Sequence, residues 1–64
     1  MFIDYDIDAI RSAVKEYYND AGLAGFPVAF MEALSVDHMT DDEVLERAER
    51  IGIDIEKYHK RRFF

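Results

Sequence analysis

Apolar positions recur at helical spacing from early in the chain. In DYDIDAIRSAVKEYYNDAG, the residues Ile7, Ile10, Val14, Tyr17, Tyr18 and Ala21 share one face. That face spans an arc of about 100° when successive residues turn by about 100°. Arg11, Ser12, Lys15, Glu16 and Asn19 fall outside it. Asp6 is a suitable N-cap, and Tyr5 and Ile10 then occupy the two positions of a hydrophobic staple. Gly22 is expected to end the helix as its left-handed residue, with Leu23 folding back onto the last turn.

The pattern changes at GFP. Phe26 is pushed toward an extended backbone by Pro27, and Pro27 suits the first position of a new helix. VAFMEALS, residues 28–35, follows and is apolar nearly all round. Its faces differ in size rather than polarity. Phe30, Met31 and Leu34 form a bulky face, and Ala29 and Ala33 form a thin one that would admit a close helix. Such a pattern predicts a buried helix.

The third helix is the most clearly written. Thr40 and Glu43 in TDDE have capping-box spacing, with Met39 and Val44 placed to staple it. Val44, Leu45, Ala48 and Ile51 share a face. Glu43–Arg47 and Glu46–Arg50 are i,i+4 pairs in the favourable order. Gly52 ends this helix. Asp54 can cap a short last one, IEKYHKRR, for which Ile53 and Tyr58 are a staple pair.

No segment alternates over strand length and no hairpin turn signal occurs. The expected fold is therefore all-α: a small three-helix bundle with a short fourth C-terminal helix, forming one domain over residues 1–64. A chain of 64 residues buries only about 60% of its unfolded surface, so its stability is marginal. Cysteine is absent, which removes disulfides as a support and suits a reducing compartment. Residues 1–20 carry charges throughout and lack the apolar core of a secretory signal. The expected location is the cytoplasm.

Charge divides the chain. Residues 1–56 hold all fourteen acids against four bases, a balance of −10, while residues 57–64 hold Lys57, Lys60, Arg61 and Arg62. An acidic body disfavours nucleic acid and anionic membranes. The layout of VAFMEALS, a turn and DDEVLERAERIG has the outline of a helix-turn-helix. Its second helix would present Asp41, Asp42, Glu43, Glu46 and Glu49 to phosphates, which repel them. EVLERAERIGIDIEKYHK likewise has the outline of small helix–extended–helix nucleic-acid-binding modules, yet lacks their basic face.

Catalytic and metal signatures fare no better. Asp4, Asp6 and Asp8 mimic the start of a calcium loop, but Ala9 and Lys15 stand where Gly and a bidentate Glu are needed. Asp37, His38, Asp41 and Asp42 cluster before the third helix, where the macrodipole accounts for the acids. One imidazole without a second is a weak metal signal. No H-E-x-x-H, P-loop or G-x-S-x-G occurs. No catalytic residue, cofactor or metal is expected. HKRRFF pairs bases with Phe63 and Phe64: the tail either touches an anionic surface or enters a partner groove, or its bases complement the helix dipole while the two rings close the core.

DIDAIR, KEYYNDAG, GFPVAFM and TDDEVLERAERIGIDIEKY together resemble a group of small bacterial helical proteins with no assigned function. The resemblance spans residues 4–58. Its most specific parts are the GFP joint and the Ala48–Asp54 ending, and it implies a fold-sized unit rather than an activity.

One tension shapes the functional expectation. Helix two has two apolar faces, and Phe2, Ile3, Phe63 and Phe64 also need cover. Either the termini wrap helix two or a second copy does. The expectation is a protein–protein interaction module, homodimeric, without nucleic-acid or membrane partners. Its candidate interface is Ala29, Phe30, Met31, Ala33, Leu34, Phe63 and Phe64. A second reading, from another class, is an acidic regulator that occupies a basic site on a nucleic-acid-handling protein.

Overall fold

The computed structural model describes residues 5–59. Three helices follow in order: α1 (Ile7–Leu23), α2 (Val28–Val36) and α3 (Asp41–Arg50), and a single 3-10 turn over Ile55–Tyr58 comes last. The all-α bundle expected from the periodicity is thus the observed fold. The fourth element is one tight turn rather than a helix reaching Arg62. It stops at His59, whose backbone is extended, and Arg61 and Arg62 lie outside the described residues.

The starts of the helices follow local chemistry. The Asp6 carboxylate accepts from the Ala9 amide at 3.2 Å. At α3 the Thr40 hydroxyl accepts from the Glu43 amide at 3.3 Å, and Glu43 Oε1 accepts from the Thr40 amide at 2.8 Å. Two donors that the helix leaves unpaired are satisfied reciprocally. Pro27 already has helical dihedrals before α2, and no side chain caps that end.

The ends of α1 and α3 are the same device. At α1 the Phe26 amide donates to Ala21 O at 3.1 Å and the Gly25 amide to Gly22 O at 3.3 Å. At α3 the Ile53 amide donates to Ala48 O at 2.9 Å and the Gly52 amide to Glu49 O at 3.1 Å. Both are Schellman closures. Each needs one residue at positive φ, and these are Gly25 (φ 117°) and Gly52 (φ 89°). The expectation for Gly22 is therefore corrected: the left-handed residue lies three positions later. Gly22 is a buried residue within α1, and Leu23, instead of folding back, is exposed.

The core is made by Ile10 and Val14 of α1, Val36 at the end of α2, Val44 and Ala48 of α3, and Ile55 of the 3-10 turn. Tyr5, Ile7, Tyr18, Met39, Leu45, Ile51, Ile53 and Tyr58 pack around it, half-buried. Each fully buried aliphatic side chain contributes on the order of 1.5–3 kcal/mol relative to exposure.

Long-range polar contacts tie the elements. Arg11 Nη1 donates to Val36 O at 2.6 Å and Met39 O at 3.1 Å, satisfying a carbonyl at the end of α2 and one in the connection to α3. Its Nη2 also lies 3.5 Å from Asp41 at the start of α3. Arg47 donates to the Tyr18 hydroxyl at 3.0 Å and to Glu32 at 3.2 Å, joining all three helices. Arg47 thus leaves Glu43, its expected partner, to the capping box. The expected Glu46–Arg50 pair is present but loose, at 3.9 Å.

Candidate functional site

The inward face of α2 is its thin one. Ala29 and Ala33 are 7% and 4% exposed, and Val36 is fully buried. These three residues lie on one side of the helix, and the helix that α2 packs against is α1. Gly22 of α1 faces α2 at the same seam. A β-carbon at Gly22 would sit 2.6 Å from Phe30 Cζ. Small residues on both helices therefore let the backbones approach, and the Phe30 ring covers the space that Gly22 leaves. Ala29 and Ala33, included in the expected interface, are corrected: they are buried within the chain's own fold.

The bulky face of α2 points outward. Among the described residues seven large hydrophobic side chains are exposed, and six of them fall between positions 23 and 34. They are Leu23 (80%), Phe26 (65%), Val28 (68%), Phe30 (39%), Met31 (69%) and Leu34 (70%). Tyr17 on α1 is the seventh. Phe30 is the edge residue, partly laid on Gly22. Phe63 and Phe64 lie outside the described residues.

Sequence reasoning found Phe30, Met31 and Leu34 but missed Leu23, Phe26 and Val28. Leu23 reads as part of a helix ending, Phe26 as part of the GFP joint, and Val28 as the first residue of a helix whose bulky face is carried by others. The available signal was the run LAGFPV itself: four large or ring-bearing residues at the junction of two helices, around a connection of only four residues.

Little charge accompanies this face. Glu32 is the only ionisable residue from position 23 to 34, and Arg47 of the same chain neutralises it at 3.2 Å. The acids lie elsewhere, with Asp41, Asp42, Glu43, Glu46 and Glu49 of α3 all exposed.

Several members of the other constellations have structural roles. Asp6 caps α1. Asp37 pairs with Lys15 at 2.9 Å, and Asp41 with Arg11. Asp4 lies outside the described residues. Among the described residues no three His, Cys, Asp or Glu side chains are grouped to hold a metal ion.

A polar cluster that the sequence did not reveal joins the two ends of the described chain. Tyr5 and His59 form an isolated antiparallel bridge, and the Asp6 amide donates to Tyr58 O at 2.6 Å. Their rings meet edge to face at 4.6 Å. Glu56 spans the pair: it accepts from the Tyr5 hydroxyl at 3.0 Å and lies 2.9 Å from His59 Nε2. Desolvation, then the hydrogen bond to Glu56 and the charges of Glu56 and Glu49, hold the Tyr5 phenol above its usual value of 10.0. These groups satisfy one another and clasp the ends of the fold.

No helix of the described residues is long and apolar enough to cross a membrane. Comparison with protein-family models, curated proteins and solved structures finds no match.

Proposed function

We propose that the protein is a non-catalytic protein–protein interaction module of the cytoplasm, and that its contact surface is the outward face of Leu23–Leu34. The observation that carries this reading is the concentration of six exposed large hydrophobic residues in that one short stretch. Scattered exposed apolar residues are ordinary, but concentrated ones mark interaction sites, and Val28, Met31 and Leu34 share the side of α2 opposite its buried Ala29 and Ala33. Aromatic and Met side chains are enriched at interfaces, and this cluster supplies Phe26, Phe30 and Met31. The lone charge near it is already paired, so burial of the face strands no ion. The core cluster is made by other side chains, Ile10, Val14, Val36, Val44, Ala48 and Ile55, so the exposed ones are not part of it.

The test is photo-crosslinking in the cells that express the protein. A photoreactive residue at Met31 should give discrete protein adducts, whatever their mass. The same residue at Ser12, exposed on α1, should give none. No adduct at Met31, or equal labelling at both positions, would remove this reading.

A further inference from the structure

We infer that the occupant of this face is a second copy of the chain, paired about a two-fold axis that passes close to Met31. This inference rests on the reading of Leu23–Leu34 as a contact surface and goes beyond it by naming the partner. Three observations favour a second copy over a different protein.

The first is the symmetry of the stripe. Met31 has Val28 three residues before it and Leu34 three residues after it, and all three are about 70% exposed. An antiparallel pair of α2 helices centred on Met31 sets each Val28 opposite the partner's Leu34. An isologous interface requires such self-complementarity, and two-fold dimers are the commonest closed assemblies.

The second is charge. The described residues carry thirteen acids and five bases, so a partner chosen by charge would be drawn to the acidic surfaces of α1 and α3. The α2 face offers such a partner nothing, because Arg47 neutralises Glu32. An apolar, uncharged face selects an occupant of the same character, and this chain supplies one.

The third is size. The six side chains expose on the order of 600 Å² per copy, or roughly 1,200 Å² across a pair, which reaches the lower bound of specific stable interfaces. Burial would also give α2 the second covering partner that its composition requires. The helix would then be enclosed between its own α1 and the partner's α2.

The experiment uses the absence of cysteine in the chain. In Met31→Cys the two introduced thiols meet across the axis, within the separation of about 4.4–6.8 Å between α-carbons that a disulfide spans. Under mild oxidation this variant should form a covalent dimer at least ~10-fold faster than Ser12→Cys, because association raises the local thiol concentration. In parallel, light scattering on the wild-type chain should show twice the 7.5 kDa chain mass as concentration rises. Met31→Glu and Leu34→Glu should each weaken that association about 100-fold, as central contacts do, while keeping the helical spectrum and melting of the wild-type monomer.

A wild-type chain that stays monomeric at every concentration overturns the second copy as occupant and leaves the contact-surface reading to the crosslinking test. A dimer that persists in both Glu variants overturns the second copy as occupant of this face, because the interface then lies elsewhere, and likewise leaves the contact-surface reading to the crosslinking test. Equal oxidation rates at positions 31 and 12 overturn the placement of the axis.

Discussion

Two neighbouring helices of nearly equal length, α2 and α3, solve opposite problems. α3 buries Val44 and Ala48 and turns Asp41, Asp42, Glu43, Glu46 and Glu49 to solvent. α2 buries two alanines and one valine and turns Val28, Met31 and Leu34 to solvent. In α3 bulk and burial coincide, so the helix is held by its own fold. In α2 they are reversed along most of the helix, so most of its apolar area lies unused. Apolarity in a helix therefore does not name its inner face. Where every side is apolar, the face that lets backbones approach most closely goes inward, as Ala29 and Ala33 do opposite Gly22.

The largest expected effect breaks the comparison directly. Val44→Asp places an unpaired charge in the core, at a cost that exceeds the marginal stability of so small a domain. The variant should show no cooperative melting by circular dichroism. Met31→Asp, one helix earlier, should alter monomer stability by no more than about 0.5 kcal/mol in the same measurement. Equal losses would mean that both helices are core helices and that the contrast is false.

The seam beneath α2 gives the next effect. Gly22→Ala puts a methyl group into the Phe30 ring. Displacing that ring costs about 1–3 kcal/mol, against a gain of about 1 kcal/mol in helix propensity. The net change in urea unfolding should be destabilising or near zero. Combined with Phe30→Ala, however, Gly22→Ala should become stabilising. That change of sign is the result to seek, since a coupling of this kind requires the two residues to touch.

Thr40→Ala sharpens the contrast between helix starts. Loss of the reciprocal cap should destabilise the fold by about 1 kcal/mol in denaturant titration. α2 has no side-chain cap to lose. The smallest effect concerns the clasp that follows α3. Because folding raises the Tyr5 phenol above its usual value of 10.0, the folded state holds that proton more tightly. This contribution is complete below pH 10 and is lost as pH rises through the folded value. Tyr5→Phe should therefore flatten the decline of the thermal midpoint above about pH 10. An unchanged slope would show that the Tyr5 proton contributes nothing to that decline.

How much of this was legible in the sequence depends on the range of each signal. Thr40, Glu43 and Asp6 were readable because a cap is a contact over three residues. The α1 ending was misassigned between two glycines only three apart. The better guide was the spacing shared by the two ends: Ala21 and Phe26 flank Gly25 as Ala48 and Ile53 flank Gly52. The inward face of α2 was not legible, because a helix apolar nearly all round, with only Glu32 and Ser35 polar, carries little directional pattern. The roles of Arg11, Arg47 and the Tyr5–Glu56–His59 clasp were illegible for another reason. Each joins residues far apart in the chain, such as Arg11 with Val36, and no local motif announces them. For the candidate site, Met31 and Leu34 are legible as a bulky helix face, while Leu23 and Phe26 are masked by the turn-forming roles that their positions suggest and Val28 by its place at the helix start.

The clasp also has a kinetic consequence. Tyr5 and Glu56 are 51 positions apart, so their contact closes nearly the longest loop that the described chain allows. The helices and their caps close loops of a few residues. Loop-closure entropy therefore places the clasp among the last contacts to form. By the same reasoning it is among the first to open. The Asp6 amide, donating to Tyr58, should exchange with solvent faster than the amides of Val14 or Val44. The ends of the fold then separate while the bundle stays intact, and the first excursion from the native state is an unzipping at Tyr5 and His59 rather than a loss of helix.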